Sequence, residues 1–157
     1  MTGTNNLPIL TFLVGEQWYG LPISDVIEVA AMVELAMMPG APPELLGVAD
    51  RHGQPLSIVD LRRVFDAPFY GVDANTLFIV ASMGSRTMGM VVDEVHQVEY
   101  IPLENTGYTL AAGKYIRGII SYKERLIQLI ALAPLLGRYV SGADAELAAH
   151  AAADEGQ

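Results

Sequence analysis

The segment Gly20-Leu21-Pro22-Ile23-Ser24-Asp25-Val26-Ile27-Glu28-Val29 recurs in outline 69 positions later, as Gly89-Met90-Val91-Val92-Asp93-Glu94-Val95-His96-Gln97-Val98. A second match agrees, with a shift of 71 positions. Leu46-Gly47-Val48 followed by Leu56-Ser57-Ile58-Val59-Asp60-Leu61 lies over Arg117-Gly118-Ile119 followed by Ile127-Gln128-Leu129-Ile130-Ala131-Leu132. A chain of 157 residues carrying such a repeat is built from two copies of one small plan. Its apolar runs are short, rich in Val, Ile and Leu, and bounded by Gly, Pro, Asp and Ser, which is how strands joined by turns read. The runs predict strands at Ile9–Val14, Trp18–Ile23, Leu46–Ala49, Pro55–Val59, Thr76–Ser82, Thr87–Val92, Val95–Ile101, Ile116–Ile120 and Arg125–Ile130. Turns are expected at Gly15-Glu16-Gln17, His52-Gly53-Gln54 and Gly84-Ser85-Arg86.

Each half therefore reads as a hairpin, a short helix or bent strand, a second hairpin and a closing helix. A sheet that short removes its exposed edges by closing into a barrel. Helical signals are few. Asp60 caps Leu61 to Phe65, Ser24 caps Asp25 to Ala31, and Ala131 to Leu136 forms a third helix that tolerates Pro134 in its first turn. Residues 1–140 are expected to form one mainly β domain, with one subdomain at about 16–75, a second at about 76–130, and the termini completing the barrels. Ala67 to Asn75 connects the halves, Pro39-Gly40-Ala41-Pro42-Pro43 stiffens a loop in the first, and Leu103 to Lys114 is the long loop of the second. The Ala-rich, acidic tail 141–157 lacks a bulky apolar face and is expected to fray.

The eighteen acidic side chains outnumber nine basic ones, a formal charge of −9 that repels nucleic-acid phosphates and anionic lipid headgroups. Nucleic acid is thus an unexpected partner. Without cysteine, disulfide frameworks, thiolate metal sites and cysteine nucleophiles drop out together. Met1 to Gly15 has no Lys or Arg ahead of its apolar stretch, so no signal peptide is expected. Gly, Pro or charge interrupts every apolar run before membrane-spanning length, and a cytoplasmic protein without direct membrane insertion is the expectation.

A search for chemistry finds no catalytic group. His52, His96 and His150 lie far apart and none has a two-histidine spacing, so no metal site is expected. Gly113-Lys114 lacks the preceding glycine and following Ser or Thr of a phosphate loop, and no nucleophile elbow or dinucleotide fingerprint occurs. Adjacent acids such as Asp93-Glu94 point to opposite faces of a strand rather than to one bond. The expectation is a protein without cofactor or catalysis. The seven methionines and Trp18 can line a ligand pocket or an adaptable binding surface, and the cluster Met32, Met37 and Met38 serves either core packing or a partner surface.

Taken in order, Phe12-x-Val14-Gly15-x-x-x-Tyr19-Gly20-Leu21-Pro22-Ile23, Val26 to Val29, Pro39 to Pro42, Leu46-Gly47-Val48, Gly53, Pro55 to Val59, Asp60-Leu61-Arg62, Gly89 to Val95 and Ile116 to Ile120 resemble the CheW family of chemotaxis adaptors. The resemblance runs from Leu10 to Tyr139. It implies two interlocked five-stranded SH3-like β-barrels and a scaffold that couples the cytoplasmic tip of a methyl-accepting chemoreceptor to the regulatory domain of the histidine kinase CheA. Recruitment to receptor arrays at the inner membrane comes with it. Carried over by position, a receptor-binding groove would use Ile23, Val26, Ile27, Glu28 and Val29, with Val91 and Val92 opposite. Of these, Val29 reads rather as an ordinary core residue.

The turn Asp50-Arg51-His52-Gly53, which the resemblance marks as a partner contact, departs from the family's usual Asn-Leu-Arg-Gly by placing His52 where an arginine is expected. An imidazole cannot reproduce a guanidinium's bidentate contact. Either Arg51 supplies that contact from the neighbouring position or the partner differs. Beside the adaptor reading stand a scaffold of a non-chemotactic sensory array, a small-ligand-binding barrel using Trp18 and the methionines, and a hydrolase with a dispersed site.

Overall fold

The computed structural model describes residues 5–102 and 113–140. The tail 141–157 and most of the Leu103–Lys114 loop lie outside them. The first half of the chain forms β1 (Asn6–Val14), β2 (Gln17–Pro22), β3 (Val26–Ala31), β4 (Leu45–Arg51), β5 (Gln54–Asp60) and α1 (Leu61–Val64). The second forms β6 (Leu77–Met83), β7 (Arg86–Val92), β8 (Glu94–Pro102), β9 (Ile116–Tyr122), β10 (Arg125–Ile130) and α2 (Leu132–Tyr139).

Two five-stranded sheets result, ordered β8-β1-β2-β10-β9 and β3-β6-β7-β5-β4. Moved along the repeat, β8, β1, β2, β10 and β9 become β3, β6, β7, β5 and β4, so the two orders are one order. The repeat is therefore structural down to single residues. Gly20 pairs with Leu129 across the parallel β2–β10 contact, and Gly89 pairs with Ile58 across the parallel β7–β5 contact. A bulge between Leu45 and Gly47 of β4 has its mate opposite Leu129 and Ile130, where β9 meets β10. Both shared glycines are needed for close approach. A Cβ on Gly20 would lie 2.6 Å from Ile9 Cγ2, and one on Gly89 would lie 2.6 Å from Ile58 Cδ1 and 2.9 Å from the Phe78 ring.

The division expected at residues 75 and 76 is corrected by this topology. One barrel is continuous from β3 to β7, whereas the other joins the amino-terminal β1–β2 hairpin to β8, β9 and β10. Each repeat thus lends its first hairpin to the other's last three strands, because a β2 or β7 strand finds its parallel neighbour only in the partner repeat. Ile9, Ile101, Ile120, Ile127 and Leu129 fill the first barrel, while Ala49, Leu56, Ile58, Phe78, Val80 and Val91 fill the second. Between them runs the largest core, with Phe12, Leu21, Val59, Leu61, Met88, Met90 and Val92.

The Asp60 carboxylate accepts from the Arg62 backbone N–H at 3.0 Å and caps α1 as expected. In α2 the buried Leu132, Leu135, Leu136 and Tyr139 make one helical face against the central core, with Pro134 in the first turn. The helix expected from Asp25 to Ala31 does not form. A single 3₁₀ turn, Ile23–Asp25, leads straight into β3. Val26, Ile27 and Val29 are β-branched, and paired with β6 the segment alternates Val26, Glu28 and Ala30 on one face with Ile27, Val29 and Ala31 on the other.

Candidate docking surface

β3 is an edge strand, paired with β6 alone within its sheet. Its side chains alternate: Val26, Glu28 and Ala30 are partly buried, while Ile27, Val29 and Ala31 face outward. Ile27 is 46% and Val29 39% exposed, so Val29, expected in the core, is corrected to a surface position. Ile23 at 36% precedes them, and Val33 and Met37 follow, at 50% and 78%. Five large apolar side chains therefore meet solvent between residues 23 and 37. That concentration makes the segment a candidate contact surface, since monomers normally scatter such residues.

Val91 and Val92, expected across the groove, are corrected to core positions. β7 lies in the middle of its sheet with a neighbour on each side, so its alternating side chains enter the two cores. Val91, fully buried, packs inside the second barrel, and Val92 lies in the core between the barrels. They support the sheet behind β3 but offer a partner no surface. Val26 is intermediate, packed against the central core at its edge.

The two groups of residues singled out separately in the sequence meet at the barrel seam. Backbone bonds between Ala36 and Val48 draw the segment after β3 onto β4. Arg51 Nε then donates to Glu28 Oε2 at 2.9 Å. With the side chains 28% and 39% exposed, solvent screens this pair, and its contribution to stability is about 1 kcal/mol or less. Its larger effect is to fix a carboxylate and a guanidinium beside the apolar stripe. The hairpin tip is a tight turn in which His52 and Gly53 both have positive φ, 53° and 82°. Asp50 Oδ1 accepts the Gly53 N–H at 2.9 Å and braces it. His52 is exposed there, and Arg51 reaches back to Glu28.

One buried group escaped the reading of the sequence. Arg62 donates from Nε and Nη2 to the two oxygens of Asp60, at 2.9 and 3.1 Å, and its Nη1 lies 3.6 Å from Asp93 Oδ1. The Asp60 contact holds the guanidinium pKa above its ordinary value. Asp93 Oδ2 in turn accepts the Gly15 N–H. This ties the β1–β2 turn, α1 and the β7–β8 corner together, a structural lock rather than a reacting constellation. Among the described residues no three His, Asp or Glu side chains converge as a metal site requires, and no helix is long and apolar enough to cross a membrane.

The arrangement has relatives. The family model for the CheW-like domain matches residues 8–139. The chain is 31% identical over 133 residues to the chemotaxis protein CheW of Klebsiella aerogenes, covering 81% of this chain and 80% of that one. It is 27% identical over 140 residues to the probable chemotaxis protein CheW of Rhizobium etli, covering 86% and 90%. The crystal structure of the scaffolding protein TtCheW from Thermoanaerobacter tengcongensis superposes with a TM-score of 0.73 at 25% identity, over 80% of this chain and 88% of that one. With the repeat, the two exchanged hairpins and the matched span agreeing from β1 to α2, the chain belongs to the CheW-like domain family.

Proposed function

We propose that the protein is a non-catalytic scaffold of chemotaxis signalling that couples chemoreceptors to the histidine kinase CheA. Family membership supports the coupling role, and the observation that carries the rest is the exposed apolar stripe of β3. A helical receptor tip fits that stripe as a helix fits a groove. Ile23, Ile27 and Val29 supply apolar anchors, and the Glu28–Arg51 pair at the rim sets register. Val91 and Val92 act from within the sheet. The exposed His52–Gly53 tip of the Asp50–Gly53 turn, beyond Arg51, is what the kinase regulatory domain would meet. The working location is the cytoplasm, at receptor arrays beneath the inner membrane.

Burying a charge without a partner costs several kcal/mol, so Ile27→Asp should abolish binding to a receptor tip fragment. Ile27 faces outward, and the variant should remain folded by circular dichroism. Glu16→Lys, in the exposed β1–β2 turn, should bind as the parent does. Undiminished binding by folded Ile27→Asp would exclude β3 as the receptor surface.

A further inference from the structure

The rim of the first barrel carries a cluster that receptor docking leaves unused. Trp18 of β2 packs its inner side on the Ile9, Ile101 and Ile127 core. The edge of His96 meets its ring at 4.6 Å between centroids, and the Arg125 guanidinium lies over it at 4.2 Å. Beside Arg125, Tyr122 carries the Lys123 ammonium at 5.3 Å. Lys123 is engaged by Glu99 at 3.4 Å, and His96 by Glu94 at 3.2 Å. Among the described residues, Arg125 has no carboxylate within 4.0 Å.

The repeat supplies an internal control. Trp18, His96 and Arg125 correspond to Thr87, Ile27 and Gln54 of the second barrel, so the fold itself demands neither the indole nor the cation. Charge distribution points the same way. Residues 113–140 carry Lys114, Arg117, Lys123, Arg125 and Arg138 against Glu124 alone, and of the carboxylates that reach the rim from β8, Glu94 is engaged by His96 and Glu99 by Lys123, which leaves Arg125 for a partner. A guanidinium held over an indole with no carboxylate partner keeps N–H donors available for a carboxylate contact.

We propose that this rim binds an acidic polypeptide segment, a Glu or Asp carboxylate on Arg125 and an apolar neighbour against Trp18. Tryptophan, tyrosine and arginine are the residues that dominate binding energy at protein interfaces. Nucleic acid offers anions too, but its extended phosphate charge would meet the negative remainder of the surface.

Trp18 is the only tryptophan, so its emission reports on this rim. The full chain would be titrated with a synthetic helical peptide of glutamates and leucines, with the same peptide carrying Gln for every Glu, and with oligouridylate. Expected are a saturable emission change with the acidic peptide and affinity weaker by about tenfold or more for the Gln peptide and for Arg125→Gln, the loss of one charge-assisted contact. Gln already stands at the matched position of the other barrel, which favours folding of that variant. Arg125→Lys, keeping charge but losing the planar fork, is measured alongside and should also bind more weakly, so the test stands if one variant misfolds. No saturable change, equal binding of the Gln peptide, undiminished binding by the folded variants, or tighter binding of oligouridylate would each overturn the proposal.

Discussion

Arg62 is 4% exposed and Asp60 1%, so their bidentate contact is shielded from solvent and salt. Removing one member of such a group strands the rest in a poorly solvated place. Arg62→Ala should therefore cost about 3–5 kcal/mol of unfolding free energy, read as a drop in the urea midpoint, whereas Arg117→Ala on the exposed side of β9 should stay within about 0.5 kcal/mol. The capping role of Asp60 was legible in the sequence, but its lock with Asp93 was not. Their nearness arises because β5 and β7 run parallel, with Asp60 opposite Val91. The matched positions hold Ala131, Ala133 and Ser24, so the repeat gives no hint of it either. Gly20 and Gly89 are the opposite case, since their recurrence announced a shared constraint. Adding a methyl at either meets Ile9 or the Phe78 ring inside van der Waals distance. Gly20→Ala and Gly89→Ala should each destabilise by about 1–3 kcal/mol, the usual cost of overpacking, in the same urea measurement.

Among the elements, strands bounded by glycine turns were readable, and the misread β3 lacks that punctuation. β3 follows Pro22-Ile23-Ser24-Asp25, a run that resembles a helix start, and only pairing with β6 decides for the strand. The outward stripe of β3 could not be told from core for the same reason: a strand's period shows which residues share a face, not which face is covered. The β9–β10 turn was implied by the second hairpin, although it contains no glycine. Lys123 and Glu124 nonetheless have φ of 51° and 64°, matching His52 and Gly53 in the other half. A non-glycine residue held there costs about 1–2 kcal/mol. Glu124→Gly should relieve most of that and raise the thermal midpoint, while Gly53→Ala should lower it. Equal midpoints for Glu124→Gly and the parent would mean that the turn is unstrained.

For the molecule as a whole, contacts distant in sequence carry the fold, and one of them titrates. Tyr139 donates to Glu44 Oε2 at 2.8 Å across 95 positions and holds the Glu44 pKa below the ordinary 4.5. Gln97 chiefly, with Lys123, does the same for Glu99. Because the folded values lie below the unfolded ones, this stability is fully present above about pH 4.5 and is lost as pH falls through the depressed values. Glu99→Gln should accordingly flatten the fall of the urea midpoint below that pH. The exchanged hairpins make a further demand on cooperativity. A chain cut between residues 75 and 76 separates β1 and β2 from β8 and β10, and β3 and β5 from β6 and β7, so neither piece holds a complete sheet. Were the repeat the folding unit, each piece would fold by itself. Since the sheets cross that boundary, fragments 1–75 and 76–157 should each lack a cooperative thermal transition by circular dichroism and recover one on mixing. A cooperative transition from fragment 1–75 alone would refute the interlocked arrangement, because in it β3 has lost its only neighbour and β1, β2 and β5 have each lost one of two.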